Sequence, residues 1–102
     1  MSQKIVRVGG IECGSDELFL ISGPCVIEDE YIMLTVAEKL KGIAERLGIK
    51  VIYKSSFQKD NRSSLDYYMG PGLEKGIQIL AKVKEQFGFP LLTDVHYPDQ
   101  CA

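Results

Sequence analysis

The sequence predicts an α/β fold in which a parallel sheet is built from successive strand–helix units. Short apolar runs, typical of buried parallel strands, alternate along the chain with longer segments of helical periodicity. Each helical segment ends in a glycine, and the next strand begins within a few residues. Because strand–helix–strand connections are right-handed and build a parallel sheet, we expect the polar residues that follow the strands to lie on one rim.

Residues 1–17 depart from this alternation and predict an amino-terminal hairpin ahead of residues 18–102, which carry the strand–helix units. Lys4–Val8 alternates polar and apolar side chains, Gly9-Gly10 is a turn signal, and Ile11–Cys13 is suited to the return strand. We expect the hairpin to cover one end of the core.

The first strand and helix of the main unit follow directly. Leu18–Ile21 is a continuous apolar run, which predicts a strand buried on both faces. Acidic residues at 28–30 mark the start of a helix, where the helix dipole favours anions, and Gly48 marks its end. The apolar positions between these signals form one helical face: Met33, Val36, Ala37, Leu40, Ala44 and Leu47.

The pattern then repeats. Val51–Tyr53 predicts a second buried strand, and Leu91–Thr93 predicts a third. Between them lies a second helix that ends at Gly88, with an apolar face formed by Leu73, Gly76, Ile77, Leu80, Val83 and Phe87. After the third strand, Asp99 follows Pro98 and has the character of the N-cap of a further helix.

The most informative polar segment, Lys54–Ser64, follows the second strand. It contains three cations and four hydroxyls, together with the amide of Asn61. Lysine point charges, the planar fork of arginine and orienting hydroxyls are what a doubly anionic small substrate needs. The alternative is an ordinary solvated loop, since lysine, asparagine and serine are common in loops.

Chemically distinctive residues also follow the other two strands. Gly23-Pro24 forces a turn that presents Cys25, for which the local sequence favours a small buried hydrophobe over a thiolate metal ligand or a nucleophile. Asp94 and His96 are two residues apart, so on an extended chain they point the same way. Taken alone, His96 is most simply an ordinary imidazole at a strand end.

Composition excludes several classes of function. The net charge is −2 with acids and bases interspersed, so there is no footprint of nucleic-acid binding. No segment has the length and apolarity of a signal peptide or membrane span. Three widely spaced cysteines favour the reducing cytoplasm over a disulfide framework, and no complete metal site can be identified.

Five segments together closely resemble the 3-deoxy-D-manno-octulosonate 8-phosphate synthase family, in order and spacing, from about Leu18 onward: Ser22–Glu28, Lys54–Phe57, Asn61–Ser64, Gly70–Glu74 and Thr93–His96. Gly-Pro-Cys is shared with the related 3-deoxy-heptulosonate phosphate synthases. The Lys-Ser-Ser-Phe and Asn-Arg-Ser-Ser segments are specific to the octulosonate enzymes. Four positions depart from the family pattern. Gln58 replaces an aspartate that usually precedes the loop lysine, and Asp60 replaces a small residue. Met69 lies where arginine commonly precedes Gly-Pro-Gly, and Tyr97 lies where glutamate usually follows the histidine.

The resemblance implies the first three strands and two helices of a TIM (β/α)8 barrel behind the hairpin. Such a barrel needs roughly 250 residues, so we expect these 102 residues to be a truncated amino-terminal third that is inactive alone. The implied activity is that of a transferase of lipopolysaccharide biosynthesis. It condenses phosphoenolpyruvate with D-arabinose 5-phosphate to give 3-deoxy-D-manno-octulosonate 8-phosphate and phosphate, and the complete enzyme is expected to be a homo-oligomer.

The resemblance also implies roles for individual residues. Lys54 and Lys59 would lie on the phosphoenolpyruvate side, and Asn61, Arg62 and Ser63 on the sugar phosphate side. Ser56 would also bind substrate. Asp94 and His96 would line the chamber near the reacting carbons and, with Lys59, act in catalysis.

Cys25 would place the chain in the class that binds a divalent metal, because the metal-free class has asparagine there. The other ligands of that metal lie on later strands, so this segment is not expected to bind it tightly.

Two alternatives to an enzyme segment remain: a stand-alone small α/β protein that binds anions, and a non-catalytic remnant. An in-frame nucleotide sequence beyond codon 102 that encodes the missing ligands would favour the enzyme. A stop codon and a monodisperse protein would favour the stand-alone anion-binding protein.

Overall fold

The structure, a computed structural model, describes residues 4–58, 70 and 72–101. A hairpin precedes a strand–helix alternation. The elements along the chain are β1 (Val6–Val8), β2 (Ile11–Cys13), β3 (Phe19–Ser22), α1 (Glu30–Leu47), β4 (Lys50–Lys54), α2 (Leu73–Phe87), β5 (Leu91–Leu92) and a 3-10 helix (Pro98–Cys101).

The main sheet is parallel, with strand order β3-β4-β5, and the hairpin β1-β2 forms a separate antiparallel pair. Ile21 lies opposite Ile52, and Tyr53 lies opposite Leu91. The predicted order of strands and helices is therefore confirmed. The third strand is shorter than predicted, because its pairing with β4 ends at Leu92.

Both helices end where the sequence predicts. The side chain of Asp29 caps α1 by accepting a hydrogen bond from the Ile32 N–H at 2.7 Å. Gly48 and Gly88 follow the two helices with φ angles of 68° and 74°. This left-handed conformation suits glycine, and the N–H of each glycine bonds back to a carbonyl of its helix.

The core lies between the helices and one face of the sheet. Tyr53 is fully buried, stacks on Phe89 and donates a hydrogen bond from its hydroxyl to the Met33 carbonyl at 2.8 Å. Phe57, just beyond β4, is also fully buried. The cluster of buried residues is Ile27, Met33, Ala37, Val51, Tyr53, Phe57, Ile79, Leu80, Val83 and Phe89.

The buried face of α2 differs from the predicted one. Leu73 and Ile77 are exposed, whereas Ile79, which the prediction omitted, is buried. Gly76 explains the rotation: an added Cβ there would lie 2.5 Å from Cβ of Phe57. The missing side chain lets α2 approach Phe57 closely and brings Ile79, rather than Ile77, toward the core.

Two other predictions were wrong. The first strand is not buried on both faces, since Leu20 and Ile21 are 43% and 48% exposed. The reason is that the helices pack over β4, and the buried cluster that they form with the sheet contains no residue of β3. Asp99 lies inside the 3-10 helix that begins at Pro98 rather than capping a helix from outside.

The hairpin packs at the amino-terminal end of the sheet, away from the rim that follows the strands. Ile11 is buried, and a Cβ on Gly9 would come within 2.7 Å of the Pro90 side chain, just ahead of β5. The hairpin therefore covers one end of the core, as predicted.

The close contact at Gly76 gives a stability prediction. Gly76→Ala should lower the free energy of unfolding, because overpacking costs about 1–3 kcal/mol and exceeds the gain in helix propensity of about 1 kcal/mol at most. Gly42→Ala in α1 is the matched control: nothing lies within 4 Å of its added methyl, so it should stabilise the protein. Urea denaturation measures both changes. Equal stabilisation by the two variants would contradict the close packing of α2 on Phe57.

The buried Tyr53 gives a pH prediction. Desolvation raises the pKa of its phenol to about 12, compared with about 10 in an unfolded chain. The folded pKa is the higher one, so the contribution of the neutral phenol is complete below about pH 10 and is lost as pH rises toward 12. Tyr53→Phe should therefore be less stable than the parent at pH 8 and lose this alkaline dependence.

Denaturant unfolding between pH 8 and 12 measures the difference between parent and variant. Tyr31→Phe is the control. Tyr31 is 78% exposed, so the difference in stability between the parent and Tyr31→Phe should stay constant over this pH range. A constant difference between the parent and Tyr53→Phe across this range would contradict the prediction.

Candidate active site

The carboxyl ends of β3, β4 and β5 lie side by side, as parallel pairing requires. Cys25 follows β3, Lys54 ends β4, and Asp94 and His96 follow β5. The prediction that the polar residues after the strands meet on one rim is confirmed for these residues.

A one-residue bulge shapes the end of β3. Ser22 lies opposite Tyr53 and Val26 opposite Ser56, so the β3 side advances four residues while the β4 side advances three. Such a bulge bends the strand and redirects the side chains beside it. Gly23 lies so close to β4 that a Cβ on it would overlap the carbonyl oxygen of Lys54, which only glycine permits.

The bulge leaves Cys25 exposed. The local interpretation of Cys25 as a small buried hydrophobe is therefore wrong, and its sulfur is accessible to a ligand. In the described part of the chain, however, no group of three His, Cys, Asp or Glu side chains could hold a metal ion. The described residues alone do not fit a metal site, because Cys25 supplies a single donor.

Hydrogen bonds tie the three strand ends together. The Ser55 hydroxyl donates to the Pro24 carbonyl at 2.5 Å, and the Thr93 hydroxyl donates to the Ser55 carbonyl at 2.9 Å. On the backbone, the Ser56 N–H donates to the Cys25 carbonyl at 3.3 Å, and the Ile27 N–H donates to the Ser56 carbonyl at 2.9 Å. The bulge is therefore fixed to β4 on both sides of Cys25.

Lys54 is half-buried at the end of β4, and its ammonium donates to the Ser56 hydroxyl at 3.4 Å. Ser56 is fully buried. In this arrangement the Ser56 hydroxyl orients the Lys54 ammonium, which supplies a positive charge at the rim.

His96 and Asp94 lie close together after β5. The His96 side chain is 12% exposed, its Nε2 lies 3.9 Å from Oδ2 of Asp94, and its ring meets Phe57 edge-on at 5.6 Å. The expectation that these two residues face the same way is confirmed. An imidazole beside a carboxylate can accept and donate protons for a ligand at this rim.

Gln100 fixes the backbone of this segment. Its Oε1 accepts hydrogen bonds from the N–H groups of His96 at 2.7 Å and Tyr97 at 3.1 Å. Sequence reasoning missed Gln100, and it also missed Ser55 and Thr93 as structural hydroxyls. For Ser55 and Thr93 the available signal was a polar side chain just past a strand end, whereas Gln100 lies in the 3-10 helix and had no such signal. Only the fold shows which backbone groups these side chains reach.

Four predicted site residues, Lys59, Asn61, Arg62 and Ser63, lie outside the described residues. The described site is therefore the part formed by the strand ends themselves.

Among the described residues, no helix is long and apolar enough to cross a membrane.

The chain matches the DAHP synthetase I family over residues 2–102 and belongs to that family. Among curated relatives, it is 58% identical over 92 residues to the 2-dehydro-3-deoxyphosphooctonate aldolase of Legionella pneumophila, covering 89% of this chain and 34% of that protein. Proteins of the same name from Albidiferax ferrireducens and Pseudomonas fluorescens are 52% and 47% identical, over 95% and 100% of this chain and 34% and 37% of their own lengths. The chain thus spans about a third of these relatives.

The Gln100 contacts predict a local effect on the segment that holds His96. Gln100→Ala removes the acceptor of two N–H groups, and each such bond is worth about 0.5–1.5 kcal/mol. Amide exchange at His96 and Tyr97 should therefore become several-fold faster. Gln100→Glu keeps an acceptor oxygen and should preserve the protection. NMR measures the exchange rates of these two amides in the parent and in both variants. Unchanged rates in Gln100→Ala would contradict the role assigned to Gln100.

Proposed function

We propose that the full-length protein carrying this chain condenses phosphoenolpyruvate with D-arabinose 5-phosphate to give 3-deoxy-D-manno-octulosonate 8-phosphate and inorganic phosphate. One observation carries the proposal: the strand ends that match the octulosonate synthases in sequence lie together at one rim. Membership in the DAHP synthetase I family and the names of the similar proteins support it.

The proposed reaction forms one carbon–carbon bond and replaces the carbon–oxygen bond to phosphate with a carbon–oxygen bond to water. The methylene carbon of phosphoenolpyruvate attacks the sugar aldehyde, and the aldehyde oxygen takes a proton. Water adds to the neighbouring carbon and loses one proton. The bond from that carbon to the phosphate oxygen then breaks, the remaining hydroxyl proton passes to the departing phosphate, and the keto group forms. The site must hold two anionic substrates in contact and stabilise developing charge, which positioned cations and hydroxyls can do.

The residues divide between the two substrates. Lys54, oriented by Ser56, and Lys59 bind the carboxylate and phosphate of phosphoenolpyruvate. Asn61, Arg62 and Ser63 bind the sugar phosphate, for which the arginine fork supplies two parallel donors. This division rests on the family resemblance, with Lys54 and Ser56 in contact at the rim.

Asp94 and His96 serve the proton transfers. Nε2 of His96 lies 3.9 Å from Oδ2 of Asp94, so the carboxylate can orient the imidazole. His96 then takes the proton from the attacking water, and its edge contact with Phe57 holds the ring in place. These assignments make Lys59, Asp94 and His96 the catalytic residues of the proposal.

The proposal also includes the fold, the oligomeric state and the metal of the complete enzyme. The described strands and helices are the first units of a TIM barrel, and the complete enzyme is a cytoplasmic homo-oligomer of lipopolysaccharide biosynthesis. Cys25 would supply one thiolate ligand to a divalent metal in the complete enzyme. Such a metal would act as a Lewis acid on substrate oxygen atoms.

The test is product formation by the purified full-length protein. Phosphoenolpyruvate and D-arabinose 5-phosphate should yield phosphate and the eight-carbon acid in equal amounts. A four-carbon aldose phosphate is the control, because phosphoenolpyruvate adds three carbons and that sugar would give a heptulosonate. Preference for the shorter sugar would assign the protein to the heptulosonate synthases, and binding without turnover would favour an anion-binding protein.

Two variants in the same assay probe the division of the site. Arg62→Lys should mainly raise KM for the sugar phosphate, because lysine keeps the charge but loses the bidentate fork. Lys59→Ala should mainly lower kcat, because the family resemblance assigns its charge to the reacting enol. Unchanged KM for the sugar phosphate in Arg62→Lys would contradict the position assigned to the Asn61–Ser63 segment.

A further inference from the structure

At Pro24, within the bulge at the end of β3, a side-chain hydroxyl from the end of β4 supplements the backbone bonds, and a second hydroxyl links that site to β5. The ladder between β3 and β4 is regular as far as Ser22 and Tyr53 and reappears as a single bridge between Val26 and Ser56. Pro24 lies between these points and has no N–H to donate. The hydrogen bond that fixes Pro24 comes instead from the Ser55 hydroxyl, at 2.5 Å from its carbonyl oxygen.

The second hydroxyl extends this connection to β5. Thr93 Oγ1 donates to the carbonyl of Ser55 at 2.9 Å, and the Ser55 N–H donates to the Leu92 carbonyl at 3.3 Å. Ser55 thus bonds to β3 through its side chain and to β5 through its backbone. We call the two hydrogen bonds from Ser55 Oγ to Pro24 and from Thr93 Oγ1 to Ser55 the hydroxyl relay.

The relay lies directly beside the groups assigned to chemistry. Cys25 follows Pro24, whose carbonyl accepts the first bond, and Lys54 precedes Ser55 in the chain. Gly23 packs against the Lys54 carbonyl with no room for a Cβ, so a shift of the bulge also moves the backbone of Lys54. The position of the relay therefore couples the end of β3 to the end of β4.

We propose that Ser55 and Thr93 are positioning residues, which hold Cys25 and Lys54 in the geometry that the condensation requires. The inference rests on the proposed function for its catalytic consequence but not for its structural part. Ser55 is completely buried and its hydroxyl already donates to Pro24, so it acts through its neighbours rather than on substrate. Without the Ser55 hydroxyl, the Pro24 carbonyl would lose this hydrogen-bond donor, and a buried carbonyl without a donor is destabilising.

The test compares variants that remove a hydroxyl with one that keeps it, in the full-length protein. Ser55→Ala and Thr93→Val each break one bond of the relay, whereas Thr93→Ser retains the donor while removing a methyl. Two properties are measured for each protein: amide exchange at Ile27 and Ser56, whose N–H groups bond across the bulge, and steady-state kinetics with each substrate varied. The Tyr53 amide, which bonds to the Pro90 carbonyl at 2.9 Å, is the reference for the rest of the sheet.

We expect Ser55→Ala and Thr93→Val to speed exchange at Ile27 and Ser56 by roughly 10-fold, which corresponds to the loss of one buried hydrogen bond. Tyr53 exchange should be unchanged. The kcat with saturating substrates should fall by about 10- to 100-fold, as expected for a small displacement of reacting groups, while KM for the sugar phosphate stays the same. Thr93→Ser keeps the hydroxyl donor, so its amide exchange rates and its kcat should stay close to the parent values.

The outcomes separate this inference from the proposed function. Faster exchange at all three amides would make the hydroxyls general stabilisers and overturn the inference. Slower turnover without faster exchange would assign them to substrate contact and also overturn it. If the parent protein does not condense the two substrates, the proposed function fails, yet local exchange at Ile27 and Ser56 still decides whether the relay holds the bulge.

Discussion

The described structure depends on β4, which must be buried in the sheet while delivering polar groups to the rim. β4 pairs with both β3 and β5, and Val51 and Tyr53 pack against the helices. The chain then continues from Lys54 into Ser55 and Ser56, which are buried yet bonded to the neighbouring strand ends. Core and site are thus consecutive parts of one strand and its extension.

Phe57 connects the two regions. On one side it fills the core, where Gly76 leaves space for it beneath α2. On the other it meets the ring of His96 edge-on. A change that displaces α2 would therefore move the wall against which His96 rests, so stability and site geometry are coupled through one aromatic side chain.

Much of the fold could be predicted because its signals are local. Gly48 and Gly88 end the two helices, as their position after an apolar helical face indicates. The choice between Ile77 and Ile79 as the buried residue of α2 could not be predicted, because both lie near the apolar face and the approach to Phe57 decides it. Likewise, an apolar run such as that ending at Ile21 indicates a strand but not whether a further strand covers its edge.

For the site, the sequence predicts that cations, hydroxyls, a cysteine and an Asp–His pair follow strands of a parallel sheet. Parallel order then requires these residues to share a rim, since all strands run the same way. The one-residue bulge that leaves Cys25 exposed, and the hydroxyl relay beside it, are evident only in the three-dimensional fold. Both depend on register between strands far apart in sequence, and register is set by packing and hydrogen bonding across the sheet rather than by local pattern.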